Sequence, residues 1–228
     1  MKASSYSADS RRRYSCYAVV SANSINKASN WHIEERMGLF YKATTKELLE
    51  ARNQIILEIG IPLLEKKGFK KTPFSTSWFG RDSLHGYIYE LCRLTPESEL
   101  QVIEIQIVRG DKWIKFILNI FKLNPNPESL DQLIGVDGLQ FKLPPNSITE
   151  MHLGIDDIKG PPLFDYNFMF RKHKIGSFYT KSGLDKRIKQ LRKIIEKDLD
   201  NIEHFVERWH EMHEPLVTTW EEHLIEGK

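Results

Sequence analysis

The sequence predicts an α+β fold, an antiparallel meander sheet packed on an N-terminal and a long C-terminal helix as a two-layer sandwich. Three observations carry this. Segments 45–67 and 184–212 repeat apolar residues at three- and four-residue spacing, the period of an amphipathic helix. Between them lie four strand-like runs, 69–79, 86–94, 100–109 and 112–123. Short turn signals join those runs, and short connections make antiparallel hairpins because parallel strands need long crossovers.

Residues 1–40 are read as an extension ahead of a single domain over 41–215. The stretch is serine-rich and carries Arg11-Arg12-Arg13, with few acidic residues before Glu34. The apolar run behind the arginines is interrupted by Ser15, Cys16 and Ser21, which makes a poor secretory core. In the first helix Leu48, Leu49, Arg52, Ile55, Ile56, Ile59, Leu63 and Leu64 form the stripe. Thr44 or Thr45 caps its start, and Glu47 suits the positive end of the dipole. Pro62 has no amide proton and predicts a kink or a fresh first turn. Gly68 after Lys66-Lys67 is a C-terminal stop that favours positive φ.

Gly80-Arg81-Asp82-Ser83, Thr95-Pro96-Glu97-Ser98 and Gly110-Asp111 separate the strands. Ile103, Ile105 and Ile107 share one face of the third run, with Glu104 and Gln106 on the other. Ile114, Phe116, Leu118 and Ile120 share a face of the fourth, opposite Lys115, Ile117, Asn119 and Phe121. From 124 to about 180 prolines punctuate the chain, and a short strand around 147–155 would raise the count to five. A loop this long is uncommon in a compact domain and suits a functional or covering segment. The second helix opens on Ser182-Gly183-Leu184-Asp185, a capping-box-like start, and Glu214-Pro215 ends it. Residues 216–228 are left as a tail or short helix.

The leading helix ending in LLEKKGFKK, the WFGRD run, the pair YIYELCRL and LQVIEIQIVRG, and KWIKFILNIFKL together resemble a bacterial family catalogued as domain of unknown function 4304. The resemblance spans about 45–123, with Gly68-Phe69-Lys70 and the apolar run around Asn119 as its markers. The N-terminal extension departs from the pattern. The family brings no established activity and no catalytic residues. It implies a bacterial, cytoplasmic setting.

The chain's 228 residues balance 33 basic against 31 acidic side chains, so no whole-molecule field suits it to coating nucleic acid or an anionic membrane. No apolar run reaches the ~20 residues of a membrane helix. Two cysteines, Cys16 and Cys92, are too few for a disulfide framework and fit a reducing compartment, so the expected location is cytoplasmic. Cys92 lies in an apolar strand, where a thiol packs as a small hydrophobe.

Four clusters have the residue types for chemistry or binding. Glu207, His210 and His213, with His204 nearby, lie at helical spacing that can gather metal ligands. The His-Glu-Met-His spacing is one residue short of the zinc-protease motif, and a polar helix end explains it better. Asp82, Glu90, Glu104 and Gln106 approach the strand pattern of a metal-dependent nuclease, yet Gln106 stands where a lysine would polarise water. Basic residues 171–193 precede an acidic stretch running to Glu214, against the preference of the dipole. Nucleic acid would suit that basic stretch, but a solvated face with pairs such as Arg192 with Glu196 is favoured. Trp78, Phe79, Tyr87, Tyr89, Trp113, Phe116 and Phe121 are strand aromatics, better explained as core than as a base-stacking platform. No pattern calls for a cofactor, and no catalytic residue stands out. The expected function is therefore a non-enzymatic module that binds another protein, of regulatory or immunity type. The alternative is a small metal-dependent hydrolase such as a nuclease.

Overall fold

A computed structural model describes residues 40–155 and 172–220. The extension ahead of Phe40, with Arg11-Arg12-Arg13 and Cys16, lies outside the described residues, as do Arg171 of the basic stretch and residues 221–228 of the tail.

The first helix is built from α1 (Thr45–Ile55), a π turn (Ile56–Gly60) and α2 (Ile61–Lys66). Thr44 caps it by accepting from the Glu47 amide at 3.1 Å. The π turn precedes Pro62, which sits in the first turn of α2. Widening the helix by one residue re-routes the bond pattern that the missing proline N–H interrupts. Gly68 follows at φ 87°, where a side chain would be strained.

Among the described residues seven strands form one sheet: β1 (Lys70–Lys71), β2 (Phe79–Arg81), β3 (Tyr87–Leu94), β4 (Glu99–Ile107), β5 (Lys115–Leu123), β6 (Met151–His152) and β7 (Leu216–Thr218). Strands β3, β4 and β5 are the antiparallel meander. The run expected as one strand over 69–79 divides into β1 and β2, both paired to the outer edge of β3. Pro73 cannot donate to a ladder. The intervening residues bulge outward, bracketed by the bonds Thr72 N–H to Glu90 O at 3.1 Å and Glu90 N–H to Trp78 O at 3.0 Å.

The outer edge of β5 is likewise shared. The short strand expected near 147–155 is β6, antiparallel to β5 at Ile117 and Leu118. The C-terminal segment expected as a tail or short helix supplies β7, parallel to β5 at Phe121–Leu123. Pro215 ends the helix, and the β-branched Val217 and Thr218 suit the extended chain that follows.

The second helix is two helices, α3 (Lys181–Asp200) and α4 (Ile202–Met212), meeting at Asn201. Asn201 leaves helical geometry at φ −98°, ψ 30°, and its side chain bonds Lys197 O at 2.8 Å. The N-cap is Thr180, accepting from Gly183 N–H at 2.9 Å, so Ser182 falls inside the first turn instead of capping it.

Both faces of the sheet are covered. The helices bury Leu91, Ile103, Ile105, Phe116, Leu118 and Ile120 against Ile55, Ile56, Leu64, Leu191, Ile195 and Trp209. On the reverse face the loop after β5 adds Leu133 and Phe141 to Phe74, Cys92, Leu100, Phe121 and Leu123. The loop is shaped by three 3-10 turns, Leu130–Leu133, Gln140–Lys142 and Asn146–Thr149.

Candidate functional site

The alternation of β4 decides where polar groups meet. Glu104 faces away from the helices, and its register partner on β3 is Glu90. Directly opposed like charges destabilise a sheet unless something lies between them. That something is Lys142, from the loop, whose ammonium forms an ion pair with the Glu90 carboxylate and lies 3.8 Å from that of Glu104. The three groups sit in a small, open cleft between the sheet face and the loop. Phe74, Val102, Ile117, Phe121 and Phe141 make its apolar walls, and Glu150 from the loop adds a third carboxylate.

The loop is pinned beside the cleft by Asn119 of β5. Its amide donates to Asn146 O at 2.9 Å, and its carbonyl accepts the Thr149 hydroxyl at 2.9 Å. Trp209 of α4 donates to Thr149 O at 2.7 Å, so one helix holds the far end of the loop. Gly138 passes against Phe74, where an added Cβ would meet the ring at 2.7 Å. This close approach requires glycine.

Burial raises the Glu90 pKa, the Lys142 ammonium opposes this, and the charge of Glu104 adds to it. Glu150 is raised by burial and by Glu104, with His152 acting in the opposite sense. The cleft thus carries three carboxylates against one ammonium.

Of the predicted acidic set, Glu90 and Glu104 come together. Gln106 donates to Glu104, so it holds that carboxylate in place of polarising water. Asp82 is elsewhere, accepting the Gly86 amide at 2.5 Å in the β2–β3 turn. Glu207, His210 and His213 are not gathered. His204 lies 3.8 Å from Glu207, His210 lies 3.4 Å from Glu99 at the start of β4, and His213 packs on the Trp209 ring. Among the described residues no group of three or more histidine, cysteine or acidic side chains is placed to hold a metal ion.

Three residues of the basic stretch, Lys172, Lys181 and Arg192, are taken up by ion pairs within the fold, while Lys174, Lys186, Lys189 and Lys193 are exposed. Lys181 pairs with Glu47, and Arg192 pairs with Glu58, not with Glu196 as expected. Lys172 meets Asp198 at 2.7 Å. Farther along, Lys67 faces Asp200 at 3.6 Å and Arg93 grips Glu203 bidentately at 2.6 Å for both oxygens. The first helix and α3 therefore run parallel, acids of the one beside bases of the other. That complementarity accounts for Lys181 and Arg192 within the charge order that opposes the α3 dipole.

The strand aromatics do not form one platform. Tyr89, Phe116 and Phe121 are buried, the first two toward the helices and the third toward the loop. Trp78 and Phe79 are exposed at the edge. Cys92 is fully buried, which pushes its thiol up to about 12 and keeps it from acting as a nucleophile.

Lys142 and Glu150 carry no signal in the sequence, because their spacing from the strands passes through a loop without periodicity. Asn119 is legible as a polar residue in an apolar run. The chain matches no known family profile, no curated protein and no solved structure. No helix among the described residues is long and apolar enough to cross a membrane.

Proposed function

We propose that the chain is a non-enzymatic protein-binding module, regulatory or immunity-type, working in a bacterial cytoplasm as the resemblance to domain of unknown function 4304 implies. The observation that carries the reading is the cleft under the loop and the apolar residues around it. Trp78, Leu139 and Leu143 are 41%, 47% and 43% exposed, and each adjoins a residue of the cleft in the chain or by a backbone bond. Exposed apolar groups on segments next to an acidic, apolar-walled recess suit a protein surface, where anchors fill a pocket and neighbours exclude water. The metal-dependent hydrolase gains no comparable support. An ammonium engages Glu90 and Glu104, and Gln106 leaves the basic position of that pattern empty.

A photo-crosslinking amino acid placed at Leu143 of the full chain, in extract of the native host, tests the reading. A discrete crosslinked protein from Leu143, absent when the probe sits at Lys189 on α3, is the expected result. Crosslinks from Lys189 alone would move the interface to the helices and overturn it.

A further inference from the structure

We infer that the cleft takes an arginine side chain of the partner, its guanidinium between Glu104 on the sheet and Glu150 on the loop and its stem along Phe121 and Phe141. This rests on the protein-binding reading and names the chemistry of the docked segment.

Three carboxylates line the cleft and one ammonium answers them, so an occupant bearing a positive charge completes the balance. Lys142 is committed to the innermost acid, Glu90, and lies farther from Glu104 at 3.8 Å. Among the described residues no hydrogen bond or ion pair holds the Glu150 carboxylate. Its nearest charged influences are Glu104, which repels it, and His152, which attracts it. Two acids line the cleft close enough to influence each other, one contributed by the strand and one by the loop, and they offer acceptors to a group that donates in two directions.

The walls then choose the cation. Val102, Ile117, Phe121 and Phe141 present apolar and aromatic surface between the acids. A lysine ammonium is a strongly hydrated point charge and loses much on entering such a recess. A guanidinium is planar, more weakly hydrated, stacks on aromatic faces and donates along a fork that fits carboxylates. The exposed Trp78, Leu139 and Leu143 would then receive apolar residues on either side of the arginine. This is the arrangement of a central anchor with an excluding rim.

The test titrates the full chain, labelled for amide NMR, with three capped tripeptides, leucine-arginine-leucine, leucine-lysine-leucine and leucine-glutamine-leucine. Saturable shifts confined to amides of 102–106, 117–121 and 138–150, with the arginine peptide at least about tenfold tighter than the glutamine one, are expected from the loss of a charge-assisted pair. The lysine peptide should fall between them. Binding of the arginine peptide should drop by a similar factor in Glu104→Gln/Glu150→Gln. Glu150→Gln alone, on the loop and half-buried, gives the same direction should the double variant fail to fold. If all three peptides bind the cleft equally, the docking surface stands and the arginine assignment is overturned. Lysine binding as tightly as arginine, or shifts unchanged in the glutamine variants, also overturns it. If none shifts the cleft amides, both readings fall.

Discussion

Asp198 shows how a single buried charge ties distant segments together. It sits on the inner side of α3, 5% exposed, and takes bonds from Lys172 at 2.7 Å and His173 at 2.8 Å. The segment carrying those two residues is stitched to the chain before β5, with Ile114 N–H bonding His173 O and Ile175 N–H bonding Lys112 O, both at 2.8 Å. Asp198 therefore joins α3 to that segment. Burial alone would raise its pKa, but the bonds from His173 and Lys172 outweigh burial and hold it below the ordinary 3.8. A carboxylate lowered on folding adds stability that is complete above its ordinary pKa and lost as pH falls through the lowered value. Asp198→Asn should thus cost about 2 kcal/mol at neutral pH, where the hydrogen bonds from His173 and Lys172 lose their charged acceptor. Its deficit against the natural chain should shrink as pH drops below 3.8. Urea unfolding of both chains from neutral pH to about pH 2.5 reads this directly, and a deficit constant across that range would show that Asp198 acts through shape alone.

At the scale of elements, local rules carry far. The helix stripes, the three meander strands, the stop at Gly68 and the face shared by Glu104 and Gln106 are legible because periods of 3.6 and 2 leave direct marks in the sequence. Arg52 is the instructive exception inside a stripe. It is fully buried, and its guanidinium bonds Leu48 O at 3.0 Å, Trp113 O at 2.8 Å and Val108 O at 3.3 Å. It closes carbonyls at the β4–β5 connection that no periodicity reveals. The reversed charge order of α3 is equally visible, yet its partners are not, because Glu47 and Glu58 lie 134 residues away from Lys181 and Arg192. Strand β7 is hidden for the same kind of reason, since its three residues gain their identity only from the free edge of β5. That strand makes a testable element. Ending the chain after Glu214 removes the parallel ladder, the bond from Asn124 N–H to Thr218 O and the Trp220 indole on Pro125 O. The cost should be about 2 kcal/mol from the lost backbone bonds. It should also bring concentration-dependent association, because an uncovered edge offers unpaired backbone groups to another copy. Thermal melts with sedimentation at two concentrations separate the two effects. A truncated chain that melts like the full one would mean β7 contributes nothing to the fold.

For the molecule as a whole, the sheet divides the interior into two cores of unequal construction. The helix side is a continuous cluster of apolar side chains from the first helix, α3, α4 and strands β3, β4, β5 and β6. The loop side holds Phe74, Cys92, Leu100, Phe121, Leu123, Leu133 and Phe141 beneath turns that bond mainly within themselves. Units with fewer buried contacts open at lower free energy than the global transition, and binding surfaces are drawn from them. Cys92 reports such an opening. It is fully buried on the loop side, and its thiol is pushed up to about 12, so a thiol reagent reaches it only when the loop lifts. In a Cys16→Ser chain, where Cys92 is the sole thiol, its modification rate therefore measures loop opening. Phe141→Ala removes a ring that packs on Phe121 and Phe74 with centroids 4.6 and 5.2 Å apart. Losing it weakens the closed loop by about 3 kcal/mol, and labelling should accelerate at least about a hundredfold. Leu191→Ala in the other core lowers global stability by a comparable amount. It leaves the loop's own opening unchanged, so labelling should stay within several-fold of the natural rate. If the two substitutions accelerate labelling in equal proportion to their effect on global unfolding, the two faces melt as one, and the loop is part of the main core instead of a cover that opens over the cleft.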